Sequence, residues 1–278
     1  MRGEWLARTF ALRSEREVRH AHAQSKVLAR FGAPWVDSLS GAGFSAGVAA
    51  LRDAGAHGSL CAPFLAALTV TGAAISTLGE AWGSETVCAS DPVAARLDEI
   101  QLDLGEGPCW EALRTGVPVF EPDVQAATSD RWPVALMGMQ EAQLGAVFAF
   151  PMRVGLLAVG VVDLYDQRAG PLPAAAVRGA AAMVHVAARL VLHRALLRAE
   201  VGSPEYERGG GLYSRREVHQ ASGMLAAQTG ATVSDALLLL RAYAYAAGRT
   251  VRDLSADVIA RRVDFTDDND PGGYEETK

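Results

Sequence analysis

The sequence predicts an α+β protein whose last part is a separate helical module. Between His57 and about Glu200, short segments with the composition of β-strands alternate with helical segments. After a glycine-containing stretch, three helical segments follow within residues 212–263. These two observations divide the chain into a mixed domain and a smaller all-helical one.

The elements of the mixed domain follow from apolar periodicity and from Gly and Pro punctuation. Residues 1–33 are predicted to form a basic amphipathic helical extension, and residues 37–47, rich in Gly and Ser, a loop. The predicted order is then a helix at 60–70, strands at 73–78 and 85–90, a helix from Asp91, a second helix, a strand at 117–120, a helix opened by Asp130–Pro133, strands at 146–152 and 159–165, and a long helix at 174–200.

Charge is spread unevenly along the 278 residues, whose net charge is −6. Residues 1–33 are basic, residues 34–211 are acidic, the helical module is mildly basic and the tail from Asp264 is acidic. An acidic protein is a poor general binder of nucleic acid, so any binding of RNA is expected to be local.

Three cysteines, Cys61, Cys88 and Cys109, lack the spacing of metal ligands, and an odd, sparse set suits a reducing cytoplasm. Early apolar residues are interrupted by charges, so no signal peptide is expected. No apolar run is judged long enough to span a membrane. We therefore expect a cytoplasmic protein.

The helical module has clear end signals. Gly230 ends its first segment, Ser234 is the predicted N-cap of the second, and Gly248 ends that segment. Thr250, with Asp253 three residues later, is predicted to cap the third. The apolar positions that should form its core are Val218, Ala221, Leu225, Ala236, Leu237, Leu240, Ala244, Leu254, Val258 and Ile259.

This module resembles the ANTAR domain, a three-helix RNA-binding module of bacterial transcription antitermination regulators. The matching positions are Ala221-Ser222-Gly223, Asp235-Ala236, Leu240-Arg241, Ala244, Arg249, Leu254, Val258 and Ile259. Ser222 departs from the family, which usually has Lys there. The resemblance implies RNA stem-loops as the partner.

Seven arginines oppose four acidic side chains between Arg215 and Val263, and this charge balance by itself favours an ordinary solvated helical bundle over an RNA surface. Arginine can grip phosphate and stack on unpaired bases. The residues predicted to contact RNA are Arg215, Arg216, Gln220, Ser222, Arg241 and Arg249. Arg241 could instead pair with Asp235 or Asp257. The acidic residues after Arg262 could compete with RNA or form a solubilising tail.

The element order of the mixed domain resembles a GAF domain, which implies an antiparallel sheet with helices on its faces. Two motifs carry the resemblance, namely the run from Gln101 through Gly105-Glu106-Gly107-Pro108-Cys109 and the later Arg131-Trp132-Pro133. Both resemble GAF domains that precede ANTAR modules in actinobacterial regulators. The implied boundaries are an extension and loop at 1–44, a GAF domain at 45–200, a linker at 201–211, an ANTAR domain at 212–263 and an acidic tail at 264–278.

The GAF resemblance implies a sensory pocket. Its predicted lining is Trp82, Glu106, Cys109, Trp110, Arg131 and Trp132. Each has a structural alternative. The two glycines could hold an anion or simply form a tight turn. Cys109, at a helix start, would have a lowered pKa and could sense oxidants, or could be a buried apolar residue. Arg131 could bind a ligand anion or pair with Asp123 or Asp130.

No catalytic motif or metal-ligand constellation is recognisable, and the six histidines do not cluster. The long helix repeats Val177, Ala181, Val184, Ala188, Val191 and Ala195 at a spacing suited either to a dimer seam or to covering the sheet. The resemblances together imply a homodimeric antitermination regulator, not an enzyme, whose GAF domain senses a signal or small-molecule effector. Two alternatives are a sensor whose helical tail contacts proteins and a DNA-binding helix-turn-helix regulator.

Overall fold

The computed structural model describes residues 42–54, 58–78, 83–128, 130–201 and 215–265. The predicted basic extension, most of the glycine-rich linker, Trp82 and most of the acidic tail lie outside these residues. The described residues form two compact units, divided between Tyr213 and Ser214.

The first unit contains a five-stranded antiparallel sheet in the order β2-β1-β5-β4-β3. The strands are β1 Gly72–Thr77, β2 Glu85–Ala89, β3 Val119–Glu121, β4 Ala146–Val154 and β5 Leu157–Asp166. The antiparallel sheet implied by the resemblance is therefore confirmed. β2 and β3, the two shortest strands, lie at its edges.

Helices cover both faces of this sheet and create two cores. The helices are α1 Ala42–Asp53, α2 Ala62–Ala67, α3 Pro92–Leu104, α4 Pro108–Thr115, α5 Pro133–Glu141 and α6 Ala174–Val201. α1, α2 and α6 pack on one face, around Leu51, Phe64 and Met183. α3, α4 and α5 pack on the other, around Leu97, Ala112 and Met139.

The loop predicted at residues 37–47 is wrong where the structure describes it, because α1 begins at Ala42. Tertiary packing overrides the low helix propensity of Gly and Ser there. Phe44 lies on Gly179 of α6, where a Cβ atom would come within 2.3 Å of the Phe44 ring. The small residues thus allow α1 to approach α6 closely.

α6 bears on two expectations from the sequence. Val184, Ala188 and Val191 are buried in the core against the sheet, so the middle of the repeat covers the sheet. By length and composition Ala174–Leu197 could also span a membrane, with a mean hydropathy of 1.5, contrary to the expectation from the sequence. The buried face of α6 explains this hydropathy, because a helix that packs in a protein core can be equally long and apolar.

The sequence did not predict that Cys61 and Cys88 form a disulfide, with their Cα atoms 6.3 Å apart. The bond joins the residue before α2 to the edge strand β2. Cys109 is a free, buried cysteine.

The second unit consists of α7 Arg216–Thr229, α8 Val233–Ala246 and α9 Val251–Ile259. Its core includes Val218, Leu225, Leu240 and Leu254, as predicted. Gly230 adopts the left-handed conformation after α7, and the Thr250 hydroxyl accepts from Asp253 N at 3.0 Å. The predicted Ser234 cap is wrong, because Thr232 accepts from Asp235 N and so caps α8 two residues earlier.

Candidate functional site

The Gly105–Cys109 motif forms a tight turn between α3 and α4. Gly105 (φ 68°) ends α3 and Gly107 (φ 129°) precedes α4, both with positive φ that favours glycine. A Cβ atom on Gly107 would lie 2.7 Å from the Gln101 side-chain oxygen. Pro108 occupies the first turn of α4, where its missing N–H costs nothing. These interactions account for the motif as a turn.

Gln101, the first residue of the motif, holds this turn in place through hydrogen bonds. Its Oε1 accepts from Cys109 N at 2.8 Å, and its main-chain oxygen accepts from Trp110 Nε1 at 2.7 Å. Its Nε2 donates to Asp163 Oδ2 at 2.9 Å. The Cys109 N–H that could have faced an anion is therefore already satisfied within the protein.

Glu106 and Glu111 join the two sequence motifs into one structural cluster. Glu106 Oε1 accepts from Val134 N and Ala135 N, both at 2.8 Å, and thereby caps α5 from another element. Glu111 Oε2 accepts from Arg131 Nε at 2.8 Å and Trp132 Nε1 at 2.9 Å. Because Arg131 pairs with Glu111, the predicted pairing with Asp123 or Asp130 is corrected.

Cys109 lies in the interior, among carboxylates, and not in an electropositive pocket. Burial and the nearby Asp163 and Asp98 carboxylates raise the pKa of its thiol well above the ordinary value. The expectation of a lowered pKa is therefore wrong, because desolvation outweighs the position at the helix start. A neutral thiol of this kind is a poor nucleophile.

The described residues of the predicted sensory pocket are thus engaged in hydrogen bonds within this unit. Trp132 is buried, Trp110 is half-buried, and Trp82 lies outside the described residues. An open groove lies elsewhere on this unit, between the α2–β1 connection and the end of β5. It is shallow and is lined by Thr69, Val70, Thr71, Asp166, Gln167 and Arg168.

In the second unit, the four predicted RNA-contact residues on α7 and at its N-cap separate into an exposed pair and a buried pair. Arg216 and Gln220 are exposed and lie one turn apart. Arg215 is only 3% exposed, and Ser222 is 2% exposed with its Oγ donating to Val218 O at 2.8 Å. A buried hydroxyl bound to its own helix is not part of the surface, so the surface on α7 reduces to Arg216 and Gln220.

On α8, Leu238, Arg241 and Tyr245 follow one another at helical spacing on the outer face. Leu238 is 57% and Tyr245 60% exposed, and Arg241 is half-buried. We call these three residues the α8 outer face. Tyr243 lies to one side, where its ring meets Phe265 edge-on at 4.7 Å.

Arg249, after α8, is tied to α9. Its Nη2 donates to Asp257 Oδ2 at 2.6 Å, and Arg262 Nε donates to Asp257 Oδ1 at 2.6 Å. These two hydrogen bonds lower the pKa of Asp257, because they stabilise its ionised form. Asp235, the other acid considered for Arg241, accepts a hydrogen bond from Thr232.

Two sets of residues were not predicted from the sequence. Asp98 and Asp163 are buried carboxylates in the core of the sheet, and no sequence pattern distinguishes them from surface acids. Tyr245 was not among the predicted RNA-contact residues, which include no aromatic side chain, although its place four residues after Arg241 is readable from the sequence.

Comparison with family models gives two matches. The GAF domain model matches residues 36–191, which is more than half of the chain, and the ANTAR domain model matches residues 211–259. A comparison with curated proteins finds no match.

Solved structures similar to this chain include other GAF domains. One is a GAF domain/HD domain protein from Geobacter sulfurreducens, at 19% identity, covering 55% of this chain and 97% of that one with a TM-score of 0.39. Another is the GAF domain from an Acinetobacter phosphoenolpyruvate-protein phosphotransferase, at 13% identity, covering 58% and 95% with a TM-score of 0.43. Since both scores are low, the assignment rests on the family models. The chain belongs to the family of GAF and ANTAR domain-containing regulators.

Proposed function

We propose that this regulator binds RNA stem-loops through its ANTAR unit and prevents transcription termination, under the control of a signal received by its GAF unit. The observation that supports this most directly is the α8 outer face, where Arg241 and an exposed Tyr245 lie one turn apart. Aromatic rings and arginine side chains are the groups on which proteins commonly stack the unpaired bases of single-stranded RNA.

Each part of this surface has a chemical role in the proposal. Arg241 and Arg216 would neutralise backbone phosphates and release counterions. Tyr245 would stack on an unpaired loop base, which is worth about 1–3 kcal/mol per base. Arg249 contributes less, because a phosphate must compete with Asp257 for its guanidinium group.

A salt series with a hairpin RNA library tests the proposal on the full-length protein. We expect Arg216→Gln and Arg241→Gln each to weaken binding and to reduce the salt slope by about 0.7–0.9 for each phosphate that is no longer neutralised. Tyr245→Ala should weaken binding with little change in slope, whereas Tyr245→Phe keeps the ring and should bind nearly as well as the wild type. Filter binding provides the measurement.

Arg168→Gln is the matched control, because it removes the same charge from an exposed side chain of the GAF unit. Equal weakening by Arg168→Gln and Arg241→Gln would point to non-specific electrostatics. Preference for duplex DNA over RNA would favour the helix-turn-helix alternative. Absence of binding to either, together with retention by a protein partner, would favour the protein-contact alternative.

The remaining parts of the proposal are that the regulator is a cytoplasmic homodimer without enzymatic activity. The apolar repeat on α6 supports a dimer only at its partly exposed positions, Val177, Ala181 and Ala195. Analytical ultracentrifugation of the wild type and of Ala181→Glu would test it, since a charge in a dimer seam should shift the mass towards the monomer.

A further inference from the structure

The Cys61–Cys88 disulfide is connected through a short segment to α6, the helix that precedes the ANTAR unit in the sequence. Cys88 belongs to β2, an edge strand whose residues are all half-buried. Cys61 is fully buried next to the first residue of α2. Cys88 is therefore the more exposed residue of the pair.

A β-bulge interrupts the pairing of β2 with β1. Ile75 pairs with Cys88 but the next residue, Ser76, pairs with Thr86, so Val87 is the extra residue on β2. As a result Cys88 faces the core of α1, α2 and α6, while Thr86 faces the opposite core and donates to Asp98.

The other end of the bond connects to α6 within three residues. Arg194 of α6 donates from Nη2 to Gly58 O at 2.9 Å, and also contacts Ala54 O, just after α1, at 3.5 Å. Gly58 precedes Cys61 in a short segment that includes Ser59, whose Oγ accepts from Ala62 N. The disulfide, this segment and α6 form a continuous series of contacts, and α6 continues to Val201.

We propose that Cys61 and Cys88 are a reversible thiol–disulfide pair, and that their redox state is a signal that the GAF unit transmits to α6 through Gly58 and Arg194. The reaction partners are low-molecular-weight thiols and their disulfides. On reduction, one thiolate attacks the Cys88 sulfur, the Cys61–Cys88 bond breaks and a mixed disulfide forms. A second thiol then releases Cys88. In total, two RSH molecules supply two electrons and two protons, and one RSSR and two cysteine thiols result.

The first test is a titration of the full-length protein in buffers of reduced and oxidised glutathione, followed by alkylation and peptide mass analysis. Cys61 and Cys88 should become alkylated together as the reduced fraction rises, and should pair again in oxidised buffer. Cys109→Ala, which removes the remaining thiol, should titrate identically. A pair that stays oxidised in fully reduced buffer, or stays reduced in fully oxidised buffer, would overturn the proposal.

The second test follows α6 by hydrogen exchange in the oxidised and chemically reduced wild type, so that no cysteine variant has to fold. Amides of α6 near Arg194 should exchange severalfold faster after reduction. In Arg194→Gln the cysteines should still titrate, but the exchange difference in α6 should disappear. Equal exchange of the α6 amides in the oxidised and reduced wild type would contradict the transmission to α6.

Only a final step, a change of RNA affinity on reduction, rests on the proposed function. Hairpin binding by wild type should differ between the two redox states, and this difference should be absent in Arg194→Gln. If RNA is not bound in either state while titration and exchange behave as expected, the redox proposal stands and the RNA proposal fails.

Discussion

Asp163 is a carboxyl group in the interior of the GAF unit, on β5 and opposite Ala74 and Ala149 of the neighbouring strands. One of its oxygens accepts from Gln101, while Oδ1 is buried without a hydrogen-bond partner. Burial and the nearby Asp98 carboxylate raise its pKa well above the ordinary value. The side chain is therefore protonated in the folded protein at a pH where the unfolded chain is ionised.

This difference predicts how stability depends on pH. Below the unfolded pKa of about 3.9, both states are protonated and the contribution of Asp163 is fully present. As pH rises, the unfolded state ionises first, so the free energy of unfolding should fall until the folded pKa is passed. Asp163→Asn cannot ionise and should lose less stability between pH 5 and pH 8 than wild type, as measured by urea unfolding.

Asp53→Asn provides the control, because it makes the same chemical change at an exposed position at the end of α1. Its stability should follow that of the wild type at both pH values. An Asp163→Asn profile parallel to the wild type would show that Asp163 is ionised in the folded state, contrary to the geometry described above.

At the scale of elements, α5 depends on a residue that is distant in sequence. Trp132, its N-cap residue, makes no side-chain cap, and Glu106 supplies the missing acceptor for two amides. Glu106→Ala should lower the free energy of unfolding by about 1–2 kcal/mol, since two amides at a helix start lose their partner. Glu106→Gln keeps one acceptor oxygen and should recover most of the loss.

Urea unfolding followed by tryptophan fluorescence measures this effect, because Trp110 and Trp132 both adjoin the cluster. Glu141→Ala, at the exposed far end of α5, should leave the midpoint nearly unchanged. Similar losses for Glu106→Ala and Glu141→Ala would contradict the capping role.

Elements whose ends are set by local chemistry could be predicted from the sequence. Asp91 before Pro92 caps α3, and Thr250 caps α9, because both side chains bond amides two or three residues away. α1 could not be predicted, because its glycines and serines favour a loop until Phe44 meets Gly179 of α6. The Ser234 assignment failed because Thr232 offers an equivalent hydroxyl two residues earlier.

The candidate sites could likewise be predicted from the sequence only in part. The motif around Gly107 was visible, but the partners of Glu106, Glu111 and Arg131 come from segments that only the fold brings together. The Cys61–Cys88 bond likewise joins residues 27 positions apart, and three cysteines leave three choices of pair. Exposure, which separates Arg216 from buried Arg215, depends on the packing of three helices.

At the scale of the molecule, the two units have separate cores. The GAF unit buries its side chains around the sheet, and the ANTAR unit around Leu225, Leu240 and Leu254. All five tryptophans precede residue 213, so fluorescence reports on the first unit alone. This distribution allows the stability of each unit to be followed separately.

Leu240→Ala should therefore unfold the ANTAR unit without affecting the GAF unit. Leu240 is fully buried, and loss of its side chain costs about 2–5 kcal/mol, which a small three-helix unit cannot sustain. Hydrogen exchange of peptides from 216–263 should become fast, while the urea midpoint seen by tryptophan fluorescence stays at the wild-type value. Leu238→Ala, two residues away on the outer face, should leave both measurements unchanged. A fluorescence midpoint that falls with Leu240→Ala would mean that the folding of the two units is coupled, because no tryptophan lies in the unit that carries the substitution.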